Sequence, residues 1–254
     1  MTADAYHPVL RARLLAAAGR ARLLAAAGRA RRLLSLIGLP LVLTACATHP
    51  AVRPGGPSSQ PAAASAQAAG TSVPELAAVI RAAADKSEHE SDAAARGQLA
   101  AQASQAADSC MAQAPAAAAC LYGRAVASGL EARAHPMHAS ELLKGMLENL
   151  GRAETAQADY DEAGPARVRA LVLLKAPPWP LGPGDPAEGL KAAQRAIALR
   201  PDYPPNQLVL AQAQAKNGDQ SAARASYARA RELAMARPPS AERDGWVREA
   251  EAGQ

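Results

Sequence analysis

The chain has 254 residues, 49% of them hydrophobic but only 3% aromatic, with no phenylalanine and a formal net charge of +5. That charge is local: seven of the 28 Lys+Arg and one of the 23 Asp+Glu precede Cys46, which leaves 21 bases against 22 acids in the rest. A basic balance confined to the first residues gives no footprint for nucleic acid, and no nucleic-acid partner is expected.

Residues 1–45 read as a secretory leader of the lipoprotein type. Arginines at 11, 13, 20, 22, 29, 31 and 32 precede an apolar run over 33–45, which is too short to span a bilayer as a helix, for which about 20 residues are needed. The basic part contains RARLLAAAG twice in tandem, at 11–19 and 20–28. The run ends in Leu43-Thr44-Ala45-Cys46, which resembles the bacterial lipoprotein box, with Cys46 as the lipid attachment site. An ordinary leader that happens to place a cysteine there is the alternative. By the same resemblance, Ala47 after the cysteine favours the outer membrane, so the expected location is its periplasmic side. Residues 46–74 are rich in Pro, Ala, Ser and Gly with almost no large apolar side chain, and are expected to remain a tether of roughly 25–30 Å.

The expected folded region is 75–238, long enough for a real core and short enough for one domain. It reads as helical throughout. Leu76, Val79 and Ile80 recur at helical spacing after Pro74, and the polar run 86–92 reads as an exposed face or turn. Helices are expected over 93–111, 116–130, 139–150 and 166–175, with a turn over 159–165. Ala118, Tyr122 and Ala125 give the third helix the same small–aromatic–small spacing as Ala223, Tyr227 and Ala230, so it reads as an earlier, degenerate repeat helix. Cys110 and Cys120 flank Pro115. In an exported chain they are expected to pair, clipping one helix end to the next start, with two buried free thiols as the alternative. His89 among acids, and His135 and His138 around Pro136, read as solvated histidines, and no metal site or cofactor is expected.

The segment from Ala176 to Asp185 contains four prolines around Trp179. Such a stiff loop either packs over the core or faces a ligand or partner. Packing is the expectation, because an exposed indole is costly without a partner.

The stretch 184–233 repeats itself at 34 residues. Gly184-Asp185 returns as Gly218-Asp219, Arg195-Ala196 as Arg229-Ala230, and Leu199 as Leu233. This is the length of the tetratricopeptide (TPR) repeat, a helix–turn–helix hairpin. Gly189, Ala193 and Ala196 form a small-residue stripe in one unit; Ala223, Tyr227 and Ala230 form it in the next. Leu210-Ala211 supply the leucine and small residue of the facing helix. The expected fold is all-α, an α-solenoid of TPR-like hairpins with roughly seven to nine helices, and 239–254 a tail or capping helix.

Tyr122-Gly123-Arg124-Ala125, Asp161-Glu162-Ala163-Gly164-Pro165, the Ala176–Pro180 loop with Gly184-Asp185, and Arg200-Pro201-Asp202-Tyr203-Pro204-Pro205-Asn206 together resemble the TRAP transporter T-component family. These are TPR-containing lipoproteins of tripartite ATP-independent periplasmic transport, and the likeness covers about residues 105–236. The resemblance implies a tethered periplasmic scaffold whose partner is a periplasmic solute-binding protein. It also implies self-assembly as a homo-oligomer and passage of a hydrophobic ligand. Gly189 where Ala is usual, Gln207 where a large apolar residue is usual and Met235 in place of the closing proline depart from the TPR pattern. No hydrolase, phosphate-loop, zinc-protease or dinucleotide motif is present in the sequence, and no enzyme is expected. Two other functions fit a helical envelope lipoprotein: an assembly factor for outer-membrane proteins or pili, and a carrier with an apolar cavity.

Overall fold

The structure is a computed structural model and describes residues 71–254; the leader, Cys46 and most of the tether lie outside the described residues. Within the described part the chain is all-α, with nine α-helices. They are α1 (Val73–His89), α2 (Ala93–Gln113), α3 (Ala118–Ala134), α4 (Ala139–Ala156), α5 (Tyr160–Lys175), α6 (Pro186–Leu199), α7 (Pro204–Lys216), α8 (Gln220–Met235) and α9 (Ala241–Ala252). A single 3-10 turn, Pro136–His138, joins α3 to α4.

Local chemistry accounts for the starts and stops. Ser72 donates from both its backbone N–H and its hydroxyl to Glu75, closing the first turn of α1. Asp92, Asp185, Asp219 and Ser240 each accept backbone N–H groups that a helix start leaves unpaired. Prolines occupy the first positions of α1, α6 and α7, where a missing N–H costs nothing. Gly218, at φ +91°, supplies the left-handed residue between α7 and α8.

Each helix packs on the next. In addition α1 packs on α3, α3 on α5, α5 on α7 and α7 on α9, so the odd-numbered helices form a continuous series. The backbones of α2, α4, α6 and α8 stay clear of one another. The Arg195–Glu154 ion pair reaches from α6 to α4 by side chain alone. Alanine makes this closeness possible: Ala103, Ala107, Ala125, Ala127, Ala153, Ala170, Ala193, Ala211, Ala213 and Ala230 are all fully buried.

Several expected boundaries move. The polar run 86–92 is helical to His89, because Ser87 faces inward and is buried; only residues 90–92 break the helix. Three helices run past their expected ends, to Gln113, Ala134 and Ala156, and within 239–254 the chain forms the helix α9, which packs on α7 and α8. The stripe of Ala118, Tyr122 and Ala125 does not make α3 a counterpart of α8. It lies in the odd-numbered series, whereas α6 and α8 lie outside it. Small–aromatic–small spacing marks any closely crossing helix, whichever layer it occupies.

Candidate functional site

The segments that carry the resemblance come together in two places. The first is buried. At the start of α5, Asp161, Glu162 and Ala163 adopt left-handed backbone conformations, with φ of 50°, 56° and 62°. A left-handed turn costs roughly 1–2 kcal/mol per non-glycine residue. It also turns carbonyls toward the interior, where Arg167 and Asn206 collect them. Arg167 Nη1 donates to Glu162 O at 2.8 Å, to Asp161 O at 3.2 Å and to Asn206 Oδ1 at 3.2 Å. Its Nη2 donates to Asp161 Oδ2 at 3.2 Å. The fully buried Asn206 donates from Nδ2 to Glu162 O, Ala196 O and Arg200 O, at 3.1, 3.3 and 3.0 Å. Hydrogen bonds to charged groups contribute roughly 1.5–3 kcal/mol each, so this set offsets the strained turn.

Aromatic rings enclose the node. Arg167 lies over the Tyr203 ring at 5.0 Å, and Tyr203 meets Trp246 edge to face at 5.6 Å. Tyr122 meets Tyr160 in the same manner at 5.5 Å. Gly164 is needed beneath Tyr122, since a Cβ there would fall 2.9 Å from the phenol oxygen. Burial pushes the Tyr122 phenol well above its ordinary range, Arg167 opposes the shift, and Asp161 adds to it by charge and by hydrogen bonding. Burial likewise raises Tyr160 and Tyr203. Arg167 and Asn206 commit their donors to these carbonyls, so the node fixes the α4–α5 and α6–α7 junctions.

The second place is the α5–α6 loop. Gly184 N–H donates to Pro177 O at 2.9 Å, Leu181 N–H to Pro178 O at 3.0 Å, and Asp185 N–H to Leu173 O at 2.9 Å. These bonds lock the loop base. Gly184 is indispensable to it, because a Cβ would lie 2.1 Å from Ala176 O. The tip projects: Trp179 is 86% exposed and Leu181 74%. The expected packing of Trp179 over the repeat core is therefore corrected. The hydrogen-bonded base holds the tip away from the helices.

The repeat-packing residues are interior. Gly189 is buried on α6, Ala193 and Ala196 are fully buried, and Ala223, Tyr227 and Ala230 line the inner face of α8. Cys110 and Cys120 are joined by a disulfide with Cα atoms 5.2 Å apart, in the core between α1, α2 and α3. Cys46 lies outside the described residues. His89 lines an open hollow of about 570 Å³ with Lys86, Glu90 and Gln98 between α1 and α2. Among the described residues no three His, Cys, Asp or Glu side chains gather as a metal set, and no helix is long and apolar enough to cross a membrane.

The meeting of the left-handed turn with Asn206 is not visible in the sequence; the nearest signal is chemical, the polar Gln207 beside it where the TPR pattern has a large apolar residue. No family model matches this chain, and no curated protein matches it.

Proposed function

We propose that this chain is a lipid-anchored, periplasmic TPR-like scaffold that partners a solute-binding protein of a TRAP-type uptake system and has no catalytic role of its own. The observation that carries the reading is the exposed Trp179–Leu181 tip on a locked base. A large apolar pair held in water by a preorganised loop loses little entropy on docking, which is the economy of an interface anchor. The resemblance supports the choice of partner, and the continuous odd-numbered helix series supports stacking of hairpins as an α-solenoid. A lipid on Cys46 would tether the scaffold to the periplasmic face of the outer membrane.

The test places a photocrosslinking amino acid at Trp179 in the full-length protein in cells and identifies the adduct by mass. A periplasmic solute-binding protein as the adduct supports the proposal. An outer-membrane assembly or pilus component in its place sinks it in favour of an assembly factor, and a bound lipid or other apolar small molecule in favour of a carrier. Palmitate labelling of the same strain, lost on Cys46→Ser, checks the anchor; labelling that survives the substitution rules out Cys46 as its site.

A further inference from the structure

The α3–α4 connection is His135-Pro136-Met137-His138, and all four residues are exposed. Met137 is 92% exposed, more than any other large apolar side chain among the described residues. A thioether is a soft, polarisable group that proteins ordinarily use to fill core gaps, so one held almost wholly in water calls for a chemical reason. The backbone around it is fixed at both ends. His135 N–H closes α3 by donating to Glu131 O at 2.7 Å, and His138 N–H donates to His135 O at 3.0 Å. That second bond closes a single tight 3-10 turn over Pro136–His138. The two histidines therefore flank one short turn, with the flexible thioether of Met137 between them in sequence. Neither imidazole is engaged in a side-chain hydrogen bond or ion pair shown for the described residues.

We infer that His135, Met137 and His138 form a surface site for a soft monovalent metal ion, copper(I). Thioether sulfur selects copper(I) over the harder divalent ions, and neutral imidazole suits it equally. A low coordination number makes two imidazoles and one thioether a sufficient set, whereas zinc in a closed site requires four ligands and disfavours thioether. The Cys110–Cys120 disulfide removes both cysteines of the folded region from competition as thiolates. Binding is dative: each imidazole nitrogen and the sulfur donate a lone pair, with no change of oxidation state.

The experiment is competition of the detergent-solubilised full-length chain against the coloured copper(I)–bicinchoninate complex, without oxygen and with ascorbate, which leaves disulfides intact. The expected result is withdrawal of copper by the wild type and an affinity lower by about tenfold or more in Met137→Leu, His135→Gln and His138→Gln. Met235→Leu, which removes the other exposed thioether among the described residues, should bind as the wild type does. Because all three ligands are exposed, unchanged far-ultraviolet circular dichroism will show that the variants remain folded. The inference is overturned if the wild type withdraws no copper, or if the combined His135→Gln, Met137→Leu, His138→Gln variant withdraws as much as the wild type. It is equally overturned if Met137→Leu alone has no effect.

Discussion

Arg167 and Asn206 stand 39 residues apart in sequence and 3.2 Å apart in space, guanidinium Nη1 to carboxamide Oδ1. Together with the bond from Asn206 Nδ2 to Glu162 O, it ties the left-handed turn of α5 to the start of α7. The pair explains why a charged and an amide side chain sit at buried positions of an alanine core: they satisfy carbonyls that the turn and the end of α6 would otherwise strand.

Replacing Asn206 by Leu, close to it in size, should therefore destabilise the fold. Arg200 O loses its side-chain donor and Arg167 Nη1 loses the Asn206 Oδ1 acceptor, while Glu162 O keeps Arg167, and unsatisfied buried groups cost roughly 1–3 kcal/mol each. Urea unfolding followed by circular dichroism should show a loss of about 3 kcal/mol or more. Arg167→Lys should fail to rescue its own site, since one ammonium cannot reproduce the planar fork. Wild-type midpoints for both variants would show that the node contributes nothing.

Ala196 and Ala230 are fully buried at equivalent points of the 34-residue period, whereas Ala187 is exposed. Leucine at either buried site should cost roughly 1–3 kcal/mol and visibly lower the melting temperature. Ala187→Leu should change little. Equal tolerance at all three positions would mean that the period has no packing significance.

Tyr122 makes stability fall at alkaline pH. Its folded-state value lies above the ordinary 10.0, chiefly because burial penalises the phenolate. The folded state thus keeps a proton that the unfolded state releases. The associated stability is complete below about pH 10 and declines as pH rises beyond it. Urea midpoints measured at about pH 8 and about pH 11 should converge in the wild type toward those of Tyr122→Phe, whose own alkaline loss is shallower. Parallel losses in the two proteins would refute this assignment.

The Cys110–Cys120 bridge closes a loop of sequence separation 10, for which chain entropy gives roughly 2–3 kcal/mol. Reduction, or the double substitution to alanine, should lower stability by about that amount. Non-reduced peptide mapping should recover the two cysteines linked. Alkylatable thiols in the purified native protein would contradict the bridge.

The helical character was legible because Ala-rich segments with apolar residues at spacings of three and four leave few alternatives, and because aspartate caps and prolines mark their starts. Helix ends were less legible: Ala134 and Ala156 continue their helices without any apolar signal, on alanine's propensity and on packing. Position within the layers was not legible at all, as the stripe of Tyr122 demonstrates. The buried node was hidden for a different reason. Its members come from α5, α6 and α7 and their junctions, and only folding reveals that carbonyls from both junctions share one carboxamide. Trp179 departs from the expected packing because the cost of exposing an indole is a statement about averages, whereas the hydrogen-bonded loop base at Gly184 decides the matter locally.

The sequential packing of the helices has a kinetic consequence. Helices whose backbones touch are never more than two apart in order, so nearly every tertiary contact closes a short stretch of chain. Proteins of such low contact order fold fast, because little loop entropy must be lost before a contact forms. Each hairpin can therefore settle against its predecessor while the following residues are still unstructured, and the order of helices along the chain is also a workable order of assembly.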